Sequence, residues 1–122
     1  MKIAPDLDDE QVDAIARLAI GHRVDALIAT NTTIARDEIA GHRLAGEAGG
    51  LSGRPLFKRS TAVLSRLARA LGGRIPLIGV GGILTGADAR AKTAAGASLV
   101  QVYTGFIYRG PALIAEARRA LK

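Results

Sequence analysis

Residues 75–82, Ile-Pro-Leu-Ile-Gly-Val-Gly-Gly, decide how the rest of the chain is interpreted. The apolar run is continuous rather than alternating, which is typical of a parallel strand buried on both faces. Pro76 fits only the first positions of such a strand, because proline cannot donate to the ladder. Thr85 with Asp88 three residues later forms a capping box that begins a helix. The segment therefore predicts a strand, a tight glycine turn and a helix ending near Gly96.

The same order of strand, loop and helix recurs three more times. Apolar runs at 2–5, 26–29 and 99–103 predict further strands, and small or polar residues follow each of them. Asp8 with Gln11 three residues later forms a second capping box, so a helix is expected after the first run. Its predicted buried stripe consists of Val12, Ile15, Ala16 and Ala19.

Two more helices are expected after the second and fourth runs. One begins at Ser60 or a nearby residue, and the other begins at Gly110–Pro111, since proline is favoured at the first helical position. The predicted buried stripe of the helix near Ser60 is Val63, Leu64, Leu67, Ala68 and Leu71. That of the helix after Gly110 is Leu113, Ile114, Ala117 and Leu121. Ile34 to Pro55 is predicted to be a long irregular loop, and loops of this length inside compact domains are usually functional.

Alternating strands and helices predict an α/β fold with a parallel sheet and four βα units. A closed eight-stranded α/β barrel needs roughly 250 residues, and this chain has 122. Half of such a barrel and a small doubly wound sheet both remain open. In either architecture, ligands bind at the carboxyl ends of the strands, so we expect the polar residues that follow the strands to converge on one rim.

Composition excludes several classes of protein. The chain has no Cys, which rules out a disulfide scaffold, a zinc ribbon and thiol catalysis. No uncharged stretch reaches the roughly 18 residues that a membrane span requires, and no signal peptide is visible, so we expect a cytoplasmic protein. The net charge of +6 comes from scattered basic residues, such as Arg66 and Arg119, that we expect on solvated helix faces. With only two Tyr and two Phe, a base-stacking nucleic-acid surface is not expected.

Four features of the sequence could carry chemistry. Gly79-Val80-Gly81-Gly82 and Gly49-Gly50-Leu51-Ser52-Gly53 could bring backbone N–H groups close to an anion, although a tight turn or a flexible loop also explains them. Thr30-Asn31-Thr32-Thr33 suits a planar ligand with amide or imide groups, and an Asx-turn is the alternative. Burying the charge of Lys2 inside a barrel costs free energy unless the side chain faces negative charge. The alternative is that Lys2 is a flexible terminal residue. His22 and His42 lack a spacing with carboxylates that suggests a metal site.

Five ordered strings together resemble class 2, quinone-dependent dihydroorotate dehydrogenases. They are Lys-Ile-Ala-Pro-Asp-Leu at 2–7, Ile-Ala-Thr-Asn-Thr-Thr at 28–33, Gly-Gly-Leu-Ser-Gly-Arg-Pro-Leu at 49–56, Pro-Leu-Ile-Gly-Val-Gly-Gly-Ile at 76–83 and Gly-Ala-Ser-Leu-Val-Gln-Val-Tyr-Thr-Gly at 96–105. The resemblance covers essentially the whole chain. It implies that residues 1–122 are one partial FMN-binding domain, the C-terminal half of a (β/α)8 TIM barrel.

The resemblance also implies roles for individual residues. Lys2 would lie beside the flavin ring and stabilise negative charge on it. Asn31 and Thr32 would hydrogen-bond the pyrimidine of dihydroorotate or orotate. The remaining FMN-binding residues would be Thr30, Gly53, Gly82, Tyr103 and Thr104, mostly through backbone groups. The implied reaction is oxidation of dihydroorotate to orotate in pyrimidine biosynthesis, with quinone as the electron acceptor and no metal or nucleic acid involved.

The sequence departs from the family pattern at its start. The family's catalytic base is a Ser upstream of the Lys motif, and Ser52, Ser60, Ser65 and Ser98 do not match its motif. The family's N-terminal extension, which associates with the inner membrane, has no counterpart here. We therefore expect the isolated chain to be inactive and to associate with a missing N-terminal half or with itself, because four strands leave two open edges. Alternatives are a non-catalytic flavin- or phosphate-binding module, half of another FMN-dependent barrel oxidoreductase, or a remnant without function.

Overall fold

A computed structural model describes residues 1–122. The strands are β1 (Lys2–Ile3), β2 (Leu27–Ala29), β3 (Leu77–Val80) and β4 (Leu99–Gln101). The α-helices are α1 (Asp9–Gly21), α2 (Phe57–Leu71), α3 (Gly86–Ala94), α4 (Thr104–Arg109) and α5 (Pro111–Ala120). Two short 3-10 helices, Asp37–Ile39 and Arg54–Leu56, lie between β2 and α2. No helix combines the length and the apolar character that crossing a membrane would demand.

The four strands form one parallel sheet in the order β1-β2-β3-β4. Ile28 pairs with Lys2 on one side and with Ile78 on the other, and Gly79 pairs with Val100. The α/β class and the four parallel βα units predicted from the sequence are thus confirmed. Because all strands run the same way, their carboxyl ends lie at one edge of the sheet.

The main core lies between the sheet and helices α1 and α2. Both predicted capping boxes are present: Asp8 with Gln11 begins α1, and Thr85 with Asp88 begins α3. The core cluster has 13 buried residues, among them Val12, Ala16 and Ala19 of α1 and Leu64, Leu67 and Leu71 of α2. Ile15 of the predicted stripe is only partly buried against this cluster.

Helix α2 begins earlier than predicted, at Phe57, and Ser60 does not cap it. Pro55 lies in the 3-10 turn that leads into the helix, which suits the fixed backbone angle of proline. Ser60 is instead fully buried within the first turn. Its hydroxyl is used by a long-range contact with Lys92 rather than by the helix end.

Helix α4 was not predicted, because Thr104-Gly105 resembles a loop. Gly105 is buried, and a Cβ there would lie 2.1 Å from the Ile83 carbonyl oxygen, so the close approach of α4 requires glycine. The predicted stripe of α5 is half right. Leu113 and Ala117 are buried, whereas Ile114 and Leu121 remain substantially exposed because no further element covers that face.

The segment between β2 and α2 is less irregular than predicted. Thr33 and Leu51 form an antiparallel bridge, and the Arg36 guanidinium donates to the carbonyls of Thr33, Glu47 and Gly49. The Asp6 carboxylate accepts hydrogen bonds from the Thr33 hydroxyl and from the next backbone amide. These contacts fold the loop back over the carboxyl ends of β1 and β2.

Candidate functional site

A cleft of about 240 Å³ lies at the carboxyl ends of all four strands. Residues that follow β2, β3 and β4 meet there with Lys2 of β1, which confirms the expected convergence on one rim. All eight residues that the sequence indicated as binding residues line it: Lys2, Thr30, Asn31, Thr32, Gly53, Gly82, Tyr103 and Thr104. No Asp or Glu is among the 16 lining residues, so the cleft offers donors and one ammonium group but no competing carboxylate.

The glycine turn after β3 forms the floor of this cleft. Gly81 and Gly82 have positive φ angles of 107° and 73°, which glycine adopts without strain. A Cβ at Gly82 would lie 2.5 Å from the Cβ of Phe57, so the turn packs directly on the start of α2. The amides of Gly81, Gly82 and Ile83 donate to no protein acceptor. Such N–H groups are free to bind an anionic ligand.

The polar segment after β2 is held between the ends of its neighbouring strands. The Thr30 amide donates to the Val80 carbonyl at 3.3 Å, and the Asn31 amide donates to the Ile3 carbonyl at 2.7 Å. The Asn31 Oδ1 accepts from the Thr32 amide at 2.9 Å, one residue on rather than the two that an Asx-turn requires. The Asn31 Nδ2 group and the Thr32 hydroxyl take part in no hydrogen bond within the protein. The peptide between Ala29 and Thr30 is cis.

Lys2 lies on β1 at the edge of the cleft. Its ammonium group forms no ion pair or hydrogen bond within the protein, whereas the neighbouring amino terminus donates to the Ala26 carbonyl at 2.8 Å. Lys2 is paired in register with Ile28 of the sheet, so its backbone is fixed while its side chain is exposed. It is therefore an unpaired positive charge placed beside the cleft.

The remaining wall of the cleft is formed where the long loop after β2 meets the start of α4. The Thr104 hydroxyl donates to the Ser52 hydroxyl at 2.9 Å. Gly53 has a φ angle of 76°, and a Cβ there would lie 3.3 Å from the Thr104 Cγ2. The Tyr103 side chain is 77% exposed, so its ring adds little to the enclosure of the cleft.

An ion pair that the sequence analysis did not identify holds this wall in place. Arg54 donates two hydrogen bonds to the Asp88 carboxylate, both at 2.8 Å. The same carboxylate accepts from the backbone amides of Leu84 and Thr85. Burial alone would raise the pKa of Asp88, but Arg54, the Leu84 amide and the Thr85 side chain lower it to about 2. The position of Arg54 directly after the glycine-rich string is a sequence feature that could have indicated a role at the site. Its partner Asp88 could not be identified from neighbouring residues.

The donor set of the cleft fits a ligand that carries a phosphate and a planar polar ring. Backbone N–H groups at glycines bind phosphate oxygens, and hydroxyl and amide side chains bind ring heteroatoms. No group of three or more metal-ligating side chains is present. A larger depression of about 520 Å³ lies on the outer face of α1 and α2 and is lined by Arg17, Arg66, Arg69 and Arg74. It is more open and distant from the strand ends, so we place the functional site in the smaller cleft.

Comparisons with known proteins show which family the chain resembles. The family model for dihydroorotate dehydrogenase matches residues 1–122. A curated relative from Paraburkholderia xenovorans named dihydroorotate dehydrogenase (quinone) is 60% identical over 122 residues, which are 100% of this chain and 36% of the relative. A relative of the same name from Burkholderia thailandensis is 62% identical over 121 residues, with 99% and 35% coverage.

Solved structures show the same likeness. The dihydroorotate dehydrogenase of Eimeria tenella in complex with ferulenol matches with a TM-score of 0.92 and 47% identity, over 98% of this chain and 32% of that one. The ligand-free form of the Eimeria tenella enzyme matches with the same TM-score. The chain thus spans about a third of the length of the relatives that it matches.

Proposed function

The chain belongs to the dihydroorotate dehydrogenase family, and on that premise we propose that its cleft binds flavin mononucleotide and part of the substrate. The whole activity would be oxidation of dihydroorotate to orotate with quinone as the electron acceptor. The observation that supports this assignment is the meeting of eight candidate residues, from β1, from the ends of the other three strands and from the long loop, in one cleft without a carboxylate.

The phosphate end of the cofactor would lie against the glycine turn. The free amides of Gly82 and Ile83 offer hydrogen bonds there, and Thr104, whose hydroxyl donates to Ser52, joins α4 to the long loop at this end. Gly53 and Tyr103 would contribute backbone contacts. Because these donors belong to rigid turns that the sheet positions, they need little rearrangement on binding.

The ring end would lie nearer to β1 and β2. The exposed Lys2 ammonium would supply positive charge where negative charge develops on the reduced ring. Thr30, whose hydroxyl donates to the Asn31 carbonyl at 2.8 Å, would contact the cofactor. The free Asn31 amide and Thr32 hydroxyl would bind the polar edge of the pyrimidine. When bound, the flavin would supply hydride acceptance and transfer of electrons to quinone.

Titration with FMN, followed by flavin fluorescence, tests the binding function. We expect the wild-type chain to bind FMN and Lys2→Met to bind it more weakly, because an unpaired charge beside the ligand is lost. Lys58→Met is the matched control, since Lys58 is an exposed lysine paired with Glu38 at 3.5 Å, and Lys58 does not line the cleft. Equal FMN affinity in the Lys2 variant and the wild type would contradict the proposed role of Lys2.

Turnover requires a base that we do not assign to any residue of this chain. We expect no oxidation of dihydroorotate with a quinone acceptor by the isolated chain. Turnover by the isolated chain would contradict that expectation and would place the base within these 122 residues. FMN binding without turnover is also what a non-catalytic flavin-binding module would show. Turnover after mixing with the remaining part of a longer relative would exclude that module.

A further proposal concerns the surface beside β4. Leu99, Tyr103, Phe106, Ile107 and Tyr108 are large side chains between 44% and 78% exposed. Contiguous apolar surface next to an open sheet edge is usually covered. We expect the chain to pair with a missing half of the barrel or with itself. Size-exclusion chromatography with light scattering tests self-association, and a well-dispersed monomer at high concentration would argue against it.

A further inference from the structure

Lys92 of α3 is the largest fully buried side chain in the molecule, with 0% of its surface exposed. Its ammonium group contacts no carboxylate. It donates instead to the Ser60 hydroxyl at 2.6 Å and to the Thr61 hydroxyl at 2.8 Å, and it lies 4.8 Å from the centre of the Phe57 ring. A buried lysine without an acidic partner is costly, so this position needs an explanation.

The contacts of Ser60 connect Lys92 to the floor of the cleft. Lys92 has no acceptor atom, so in this contact the Ser60 oxygen accepts and its own hydrogen is directed elsewhere. That oxygen lies 3.1 Å from the Phe57 carbonyl and 3.3 Å from the Gly81 carbonyl. Lys92 therefore restricts the Ser60 hydrogen to these two carbonyls, one of which belongs to the glycine turn.

The geometry of a single peptide plane carries this effect into the cleft. The carbonyl of Gly81 and the amide of Gly82 belong to the same trans peptide, in which C=O and N–H point in opposite directions. Because the Gly81 carbonyl is turned toward Ser60, the Gly82 N–H is turned away from it. Gly82 lines the cleft, and its N–H has no protein acceptor.

The charges around Lys92 leave a positive balance under this turn. The acidic group whose charge acts on Lys92 is Asp88 on α3, and Arg54 already neutralises that carboxylate. On α2, Lys58 and Arg59 are paired with Glu38 and Asp37 on the surface. Strand β3 presents no charged side chain. The Arg54 guanidinium also lies 5.4 Å from the Phe57 ring, so two cations share the start of α2.

We propose that Lys92 is a positioning residue for the anion-binding turn, acting through Ser60 to aim the Gly82 amide at the phosphate of the cofactor and adding positive charge beneath it. This inference rests on the proposed function, since the phosphate is that of FMN. Lys92 does not line the cleft. It would act through the glycine turn rather than by contact.

A comparison of FMN with riboflavin, which lacks the phosphate, tests the inference. We expect Lys92→Met to lower the affinity for FMN by about tenfold while leaving riboflavin affinity unchanged, since only the phosphate uses the turn. Ser60→Ala should reduce the FMN preference in the same direction. Lys58→Met, a lysine change on the exposed face of α2, is the matched control. An unchanged ratio of FMN to riboflavin affinity in both Lys92→Met and Ser60→Ala would overturn the inference while leaving the proposed function intact.

The pH dependence gives a readout that a merely structural lysine would not change. Burial lowers the pKa of Lys92 to about 8, opposed by the charge of Asp88. The wild-type preference for FMN over riboflavin should therefore fall between about pH 7 and 9, and it should stay constant in Lys92→Met. If Lys92→Met does not fold, the wild-type titration decides, and a flat FMN preference across this range would overturn the inference.

Failure of the proposed function is recognised separately. If the wild-type chain binds neither flavin, the assignment of FMN to this chain is wrong. Inorganic phosphate is then the probe, with the Gly81 and Gly82 amide signals followed by NMR. A phosphate-dependent shift in the wild type that is lost in Lys92→Met supports the positioning role. The same shift in both proteins, or none in the wild type, overturns it.

Discussion

The two halves of the sheet, β1 to β3 and β4, differ sharply in how completely they are packed. The side of β1 to β3, covered by α1 and α2, contains a core cluster of 13 buried residues, and we call it the packed side. The side of β4 with α3, α4 and α5 contains a cluster of three, Ile83, Ala89 and Ala117, and we call it the open side. Ile107 and Tyr108 of α4 are 67% and 78% exposed on the open side.

This difference shows where the fold is complete and where it offers surface. A parallel sheet buries both faces only when helices or further strands cover them. On the packed side, α1 and α2 cover the face that carries the buried Leu27 and Leu77, while Ile28 and Ile78 are only partly buried. Leu99 of β4 is 63% exposed, which is unusual for a residue of a parallel strand. Such exposure is expected of an edge strand that has no neighbouring strand to cover it. The cleft lies where the two sides meet, since its residues follow strands of both.

The largest contrast should come from matched truncations on the two sides. Leu67 of α2 is 0% exposed in the main core, and Leu67→Ala should lower the free energy of unfolding by about 3 kcal/mol, because it leaves a cavity. Ile107→Ala removes a side chain of similar size from the open side and should change the free energy of unfolding of the monomer very little. Chemical denaturation of both variants measures the difference. A loss in Ile107→Ala as large as that in Leu67→Ala would mean that the open side is covered in solution.

A second contrast tests the junction between the sides. Gly82→Ala places a Cβ 2.5 Å from the Cβ of Phe57, whereas a Cβ at Gly73 meets nothing within 4 Å. Both glycines have similar positive φ angles, 73° and 79°, so the conformational cost of alanine is similar. Gly82→Ala should therefore be the more destabilising by about 2 kcal/mol, the usual scale of overpacking. Equal melting temperatures of the two variants would show that the junction can relax.

A third prediction concerns the ion pair that ties the two sides together. Arg54 precedes α2 on the packed side, and Asp88 belongs to α3 on the open side. The pKa of Asp88 is lowered from 3.8 to about 2, so the folded protein binds this proton less tightly than the unfolded chain does. The resulting stabilisation, about 2 kcal/mol, is present above about pH 4 and is lost as the pH falls toward 2.

Asp88→Asn should consequently destabilise the protein at pH 7, and the difference from the wild type should shrink on acidification through that range. Asp25→Asn is the control, because Asp25 is exposed and has no ion pair. Urea denaturation at pH 7, 4 and 3 measures both variants. A difference for Asp88→Asn that is constant with pH would show that the carboxylate charge does not contribute.

The sequence was sufficient for features that depend on neighbouring residues or on strand direction. Capping boxes at Asp8 and Thr85 are local, and both were predicted correctly. Convergence of the strand ends follows from parallel pairing, whereas the individual candidate residues came from the family resemblance. Helix α4 was missed because six residues beginning Thr-Gly carry no periodic signal long enough to interpret.

Features that depend on distant pairs could not be predicted in this way. Lys92 lies in an Ala-rich helix, where a lysine ordinarily indicates a solvated face, yet the close approach of Gly79 and Ser60 buries it. The partner of Arg54 lies 34 residues away. The long loop is held by carbonyl contacts of Arg36, which leave no pattern in the sequence. Such contacts exist only once the tertiary fold has placed their partners together.

The smallest effect is expected on the outer surface of the packed side. Arg66 was predicted to lie on a solvated helix face, but it also pairs with carboxylates of α1. Arg66 donates to Asp13 through Nε at 3.0 Å and through Nη2 at 2.6 Å, and to Asp9 at 2.6 Å, so it joins α2 to α1. The hydrogen bond to Arg66 lowers the pKa of Asp13. Because both side chains stay partly exposed, at 30% and 34%, screening limits the contribution of the pair. Arg66→Met should lower the melting temperature by a few degrees at low salt and by less at high salt, whereas Arg69→Met, which removes only a contact with Ser65, should leave it unchanged. A salt-independent loss in Arg66→Met would show that packing of its hydrocarbon stem, rather than its charge, connects the two helices.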